Sequence, residues 1–113
     1  MTIEEFEKQV EEALKTIPSE FREKLKNIEI DVDDSVPKKT GSLLLGQYNG
    51  VPLSDRSATF EPLMPDKITL FKQALEMISK NAEELKKNIR DTVVHEIGHY
   101  FGFNEKDIRK RGF

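Results

Sequence analysis

Two histidines and a glutamate near the end of the printed sequence have the residue types and spacing of a metal site. His95 and His99 are the two histidines of the chain, and both lie in the stretch VVHEIGHYFGF, residues 93–103. Side chains four residues apart project from one face of a helix, so the two imidazoles can converge on one ion. Because neutral imidazole is the commonest protein ligand for zinc near neutral pH, this spacing predicts a metal centre.

Glu96 has the position of a general base in such a centre. It lies about 100° around the helix from His95, so it is off the ligand axis but can reach a water bound to the metal. In the H-E-x-x-H pattern of metalloproteases the histidines bind the ion and the glutamate accepts a proton. The alternative is a pair of incidental surface histidines. Gly98 within the motif indicates either close helix packing or another backbone that passes near the metal.

The third protein ligand must also be found. The chain has no cysteine, so histidine, aspartate and glutamate are the available ligand types. The printed sequence ends 14 residues after His99, so we expect the ligand to follow a sharp turn directly after the helix. Gly102 can form that turn, and Glu105 completes H-E-x-x-H-x-x-G-x-x-E, a metzincin-type spacing with a carboxylate as third ligand. We predict that His95, His99 and Glu105 bind one Zn²⁺, with Asp107 as the alternative to Glu105; this ligand set also suits iron or nickel.

The residues around the motif predict the long helix that carries it. Asn81 is a suitable N-cap, and Glu83 and Glu84 follow in the first turn, where the helix dipole favours anions. Apolar residues then recur every four positions along one stripe: Leu85, Ile89, Val93, Ile97 and Phe101. Gly102 follows that stripe as a helix-stop residue does. We therefore predict a helix over about residues 82–101, with HEIGH near its carboxyl end.

Further helices and strands are predicted from capping signals and periodicity. Thr2 and Glu5 form a capping-box signature for an amphipathic helix over residues 3–16, and Ser19 can cap a short second helix. Alternation in NIEIDVDD predicts a strand with one buried and one wet face. KITLF predicts another strand, and KQALEMISK predicts one or two helical turns.

Two connecting segments are of functional interest. Asn49-Gly50 between two apolar stretches is the strongest short-range hairpin signal, and the edge of this hairpin, residues 46–53, is the predicted binding edge for a peptide. The stretch DRSATFEPLMPD, residues 55–66, contains two prolines and no regular pattern. Because loops this long in a small domain are often part of a site, we expect it to border the metal centre.

Length, composition and net charge limit the number of domains and the classes of partner. The chain has 113 residues, of which 36% are hydrophobic and 35% are charged, and its net charge is -3. This length and composition predict one domain over residues 1–113. A net negative charge argues against nucleic acid as the main partner. Without an apolar run of about 20 residues or a signal-peptide pattern, we expect no membrane association and a cytoplasmic monomer.

Three stretches together are more specific than the histidine motif. LLGQYNGVPLSDRS, PDKITLF and DTVVHEIGHYFGFNEKDI occur in this order, and with them the chain resembles the small bacterial zincin-like metallopeptidases, a minimal matrix-metalloprotease-like family. The resemblance implies a compact zincin-like α+β fold with a small mixed sheet packed on helices, one zinc ion and cytoplasmic peptidase activity. By position, His95 and His99 match the family's histidines, Glu96 its general base and Gly102 its turn. Glu105 stands where the family pattern has an aspartate.

Two functional hypotheses follow. The first is a zinc-dependent peptidase that hydrolyses peptide or protein substrates with zinc-bound water and Glu96 as general base. The second is a catalytically silent metal-binding or peptide-binding regulatory domain on the same fold. Tyr48, Arg56 and Tyr100 could bind substrate or stabilise an oxyanion, or they could be purely structural.

Overall fold

The computed structural model describes residues 1–25, 27–35, 38–39, 42–56 and 65–110. Within these residues the helices are α1 (Ile3–Lys15), α2 (Ser19–Arg22), α3 (Lys72–Ile78), α4 (Ala82–Tyr100) and α5 (Glu105–Lys110). The strands are β1 (Ile28–Asp33), β2 (Lys38–Lys39), β3 (Ser42–Leu43), β4 (Gly46–Asn49) and β5 (Asp66–Phe71), with a 3-10 turn at Leu53–Asp55. Of the predicted loop over residues 55–66, residues 57–64 lie outside this description. None of the described helices has both the length and the apolar composition that a membrane span requires.

The main sheet has three strands in the order β1-β5-β4. The central strand β5 pairs in parallel with β1 and antiparallel with β4, so the sheet is mixed. A separate antiparallel pair is formed by β2 and β3. This is the α+β architecture that the sequence predicts. It leaves β4 as one edge of the main sheet, and α4 packs beside that strand.

The core lies where α1 and the sheet meet α4. Phe6 on α1, Ile68 on β5 and Ile89 on α4 are each fully buried. The capping-box prediction for α1 is confirmed, because the Glu5 backbone N–H donates to the Thr2 hydroxyl over 3.1 Å. The Asn81 cap of α4 is confirmed as well, since its side-chain oxygen accepts from the Glu84 N–H over 2.8 Å. Both helices begin where the local capping chemistry predicts.

The predicted Asn49-Gly50 hairpin is wrong. The partner of β4 is β5, about 20 positions further along the chain, and Leu53–Asp55 forms a 3-10 turn in place of a returning strand. Gly50 is needed for a different reason, close packing: a Cβ added there would lie 2.5 Å from Cγ of Asp66 and 2.8 Å from the Tyr48 hydroxyl. The edge predicted over residues 46–53 is therefore β4 alone.

Two smaller predictions also need correction. Ser19 is the first residue of α2 and Pro18 occupies the N-cap position, where its carbonyl accepts from the N–H groups of Phe21 and Arg22. In β1 the apolar residues are half-buried and not fully enclosed. The reason is that β1 is the other edge of the sheet, where a strand has a packed neighbour on one side only.

Candidate metal centre

His95 and His99 lie in the last turns of α4, and their rings converge. The two Nε2 atoms are 3.2 Å apart, and about a third of each side chain is exposed to solvent. The helix itself is firmly anchored, because Val93 and Ile97, which alternate with the histidines along the chain, are fully buried. The same helix thus fixes one face in the core and presents two imidazole nitrogens at the surface.

Gly102 ends α4 in the way that the sequence predicts. Its φ of 86° is in the left-handed region, which a residue with a side chain adopts only at a cost. The Gly102 N–H donates to the His99 carbonyl over 2.9 Å, and the Phe103 N–H donates to the Gly98 carbonyl over 3.0 Å. These two bonds form a Schellman motif, which satisfies the last carbonyls of the helix and reverses the chain.

Asn104 begins the next helix directly after this turn. Its side-chain oxygen accepts from the Asp107 N–H and its carbonyl accepts from the Ile108 N–H, each over 2.9 Å. Glu105 is therefore the first residue of α5, and its carboxylate is held beside the histidines. Glu105 Oε1 lies 3.0 Å from His95 Nε2 and 3.5 Å from His99 Nε2. In the described part of the chain, the Asp107 carboxylate makes no such contact with either ring.

The three converging atoms fit a zinc ion. Their separations are 3.2, 3.0 and 3.5 Å. A tetrahedral Zn²⁺ with bonds of about 2.0–2.1 Å holds neighbouring ligand atoms about 3.3 Å apart. One face of the tetrahedron is thus matched by two nitrogens and an oxygen, a hard and borderline donor set that suits zinc.

Glu96 also belongs to this cluster, with a different environment. The donor atoms of His95, Glu96 and His99 all lie within 4.8 Å of one another, so Glu96 is near enough to be considered a ligand. Glu105 Oε1 lies within 3.5 Å of Nε2 of both histidines, and this proximity favours Glu105 in that position. Glu96 is only 9% exposed, and this burial raises the pKa of its carboxyl group above the ordinary value of 4.5. The two imidazoles and the Tyr48 backbone N–H act in the opposite direction.

The strand β4 passes very close to α4 at this point. A Cβ added to Gly46 would lie 2.7 Å from Cγ2 of Thr92 and 3.4 Å from Cγ of Glu96. A second backbone does approach the motif because a glycine has no side chain there. That glycine is Gly46 on β4, and not Gly98. Gly98, for which the sequence left two readings open, is buried and supplies its carbonyl to the helix cap.

Tyr48, Arg56 and Tyr100 have structural partners. The Tyr48 hydroxyl donates to Asp66 over 2.6 Å, Arg56 pairs with the same carboxylate oxygen, and Asp66 is 5% exposed. Burial and this hydrogen bond raise the pKa of Tyr48 well above its ordinary value. The Tyr100 hydroxyl donates to the Lys24 carbonyl over 3.3 Å, and that side chain is 1% exposed. The structural reading therefore suits all three better than an oxyanion role.

Three residues that position the site were not identified from the sequence. Gly46 and Asp66 act through contacts with residues far away in sequence, so no local pattern identifies them. Asn104 was identifiable, since Asn104 followed three residues later by Asp107 resembles a capping signature.

Two cavities of about 370 Å³ each meet at Glu96. One lies between the start of β4 and α4 and is lined by Gly46, Asp91 and Thr92, among others. The other lies beyond Tyr48 and is bordered by Asp55, His99, Phe103 and neighbouring residues. Glu96, the general-base candidate, lines both cavities, and each cavity also includes a residue of β4, so we call the pair the groove.

Comparison with known proteins agrees with this geometry. No curated protein matches the chain. Residues 25–113 match the family model described as zincin-like metallopeptidase. The matched region includes the mixed sheet, α4 and α5, and therefore every residue of the candidate metal centre. Because the match covers well over half of the sequence, the chain belongs to the zincin-like metallopeptidase family.

Proposed function

We propose that this protein is a zinc-dependent peptidase in which His95, His99 and Glu105 hold the metal and Glu96 is the general base. The observation that carries the proposal is the convergence of two imidazole nitrogens and one carboxylate oxygen at zinc-ligand spacing, beside a second, buried carboxylate. Membership of the zincin-like family supports the choice of zinc and of peptide hydrolysis.

The chemistry divides between the metal and Glu96. When bound, Zn²⁺ supplies Lewis acidity, which lowers the pKa of a coordinated water toward about 7 and polarises a carbonyl. Glu96 accepts a proton from the attacking water and delivers it to the leaving amine. Burial raises the pKa of Glu96 above its ordinary value, and a divalent cation bound nearby would lower it. The Tyr48 N–H helps to hold this carboxylate in position.

A peptide substrate would lie along the outer edge of β4. The Phe71 N–H donates to the Leu45 carbonyl over 3.0 Å, so the main-chain groups of Leu45 face β5. Since residues of an antiparallel strand alternate, the main-chain groups of Gly46 and Tyr48 face outward. The Tyr48 N–H is bonded to Glu96, so the main-chain groups of Gly46 and the Tyr48 carbonyl are the ones proposed to pair with a peptide. No described strand covers this edge. Main-chain pairing with an exposed strand is an established way to bind extended peptides, and here it would place the peptide across Glu96.

Replacement of Glu96 tests the proposal. Glu96→Gln should keep stoichiometric zinc by elemental analysis and lose chelator-sensitive peptide cleavage by at least about 10²-fold, since proton transfer is lost while the metal ligands remain. Glu83→Gln removes a carboxylate from the exposed first turn of the same helix and should retain full activity. Full cleavage by Glu96→Gln would refute the base assignment. If zinc-loaded wild type cleaves no member of a broad peptide library, the metal-binding alternative is correct.

A further inference from the structure

The cavity beyond Tyr48 has a distinctive lining. Its walls include Tyr48, Pro52 and Phe103, and Asp55 contributes a carboxylate. We call it the Asp55 pocket. It borders Glu96 and His99 directly, so a side chain within it belongs to a substrate residue close to the cleaved bond.

The Asp55 carboxylate is not paired with a cation in the part of the chain that the structure describes. Among the described residues, no ion pair or hydrogen bond engages it, and neither lysine nor arginine lines the pocket. Asp91 in the opposite cavity differs, because Lys87 Nζ lies 3.0 Å and Arg90 Nε 3.8 Å from its carboxylate oxygens. In the groove, Asp91 is thus paired with cations of the chain, and Asp55 remains available for a partner of opposite charge.

We infer that the Asp55 pocket receives a lysine or arginine side chain of the substrate, with Asp55 as the specificity-determining residue. The long aliphatic stem of either side chain can pack on Pro52 and Phe103 while its charged end reaches the carboxylate. Phe103 and Tyr48 also offer aromatic surface, which attracts cations. The inference rests on the proposed peptidase function, because it assigns a role to one side of the same groove.

The first experiment measures cleavage preference. Zinc-loaded wild type is given peptides that differ only by arginine, glutamine or glutamate at each position near the cleaved bond, and products are identified by mass spectrometry. We expect a preference for arginine on one side of the bond. Asp55→Asn should reduce kcat/KM for the arginine peptide by roughly two- to fivefold, the usual effect of one solvent-accessible ion pair, with the glutamine peptide unchanged. Raised salt should weaken the preference.

Two variants sharpen this test. Asp55→Lys should favour glutamate over arginine at the same position, because it reverses the charge of the pocket. Asp34→Asn removes one negative charge at an exposed position outside the groove and should leave the preference intact. Cleavage with no preference for arginine, or a preference that survives Asp55→Lys, would overturn the inference and leave the peptidase function standing.

A binding experiment separates failure of the inference from failure of the proposed function. Fluorescence anisotropy of the same labelled peptides with zinc-loaded protein reports occupancy of the groove without any reaction. One possible result is that wild type binds the arginine peptide selectively, that Asp55→Lys reverses this selectivity, and that wild type cleaves no peptide. This result would support the role of Asp55 in specificity and reject the peptidase function. Binding that ignores the peptide's charge would reject the pocket.

Discussion

At the residue scale, the position of Glu105, the proposed third ligand, is determined by a short segment of the chain. Glu105 is 61% exposed, yet its Oε1 approaches both histidines, because the turn at Gly102 and the cap at Asn104 fix its backbone. This position was predictable, since motif, glycine and carboxylate are neighbours in sequence. The burial that raises the pKa of Glu96 was not predictable, because it depends on Gly46 from a distant strand.

Glu76 provides a prediction on pH at the same scale. Its carboxylate accepts a hydrogen bond from buried Lys72 over 3.0 Å and lies 3.5 Å from the Met1 amino group, and the Lys72 bond lowers its pKa below the ordinary 4.5. A carboxyl group whose pKa is lower in the folded than in the unfolded protein stabilises the fold above pH 4.5. This stabilisation disappears as the pH falls through the lowered pKa. Glu76→Gln should therefore reduce the free energy of unfolding at pH 7 by about 1 kcal/mol or less.

Urea denaturation at pH 7 and near pH 3 measures this effect. The difference between wild type and Glu76→Gln should shrink at the lower pH, because protonation of Glu76 in wild type removes the charge that pairs with Lys72. Glu12→Gln, in an exposed pair with Lys15 on α1, is a control for loss of a surface carboxylate and should change stability little at either pH. A difference for Glu76→Gln that stays constant with pH would contradict the account.

At the scale of elements, helices were more predictable than strand pairings. The caps at Thr2, Asn81 and Gly102 depend on residues within four positions, so the sequence around each helix end contains the necessary information. The Asn49-Gly50 signal is equally local and predicted the wrong partner. Strand β4 pairs with β5 across the chain, and Gly50 is selected by close contact with Asp66, which no short-range pattern can reveal.

The close passage of β4 over α4 yields a second prediction. Gly46→Ala would place a Cβ 2.7 Å from Cγ2 of Thr92, so it should destabilise the protein by about 1–3 kcal/mol. Thr92→Ser removes that methyl group and can keep the hydroxyl bond to the Asn88 carbonyl, which is 2.8 Å in wild type. The double variant should therefore recover at least half of the lost stability in a denaturation double-mutant cycle.

Gly50→Ala is the matched control for this cycle. Its added Cβ would meet Asp66 and the Tyr48 hydroxyl, not Thr92, so Thr92→Ser should give no rescue. If the changes in the free energy of unfolding for Gly46→Ala and Thr92→Ser are strictly additive, the added Cβ and the Thr92 methyl group do not clash.

At the scale of the whole molecule, α4 links the core to the site. One side of it packs on α1 and the sheet through fully buried Ile89 and Val93, and its carboxyl end presents the histidines. Helix α1 lies before the region that matches the family, but Phe6 reaches the same core. Sequence periodicity predicted which faces are apolar. It could not predict which apolar faces meet, because that depends on non-local packing among all elements.

The central claim is that one zinc ion is held by His95, His99 and Glu105. Zinc per chain, measured by elemental analysis after dialysis against a weak chelator, tests it most directly in wild type, Glu105→Ala and Asp107→Ala. We expect about one zinc ion per chain in wild type and Asp107→Ala, and a loss of affinity in Glu105→Ala larger than the 10- to 100-fold typical of an outer partner. Zinc retained by Glu105→Ala and lost by Asp107→Ala would show that Asp107, and not Glu105, is the ligand.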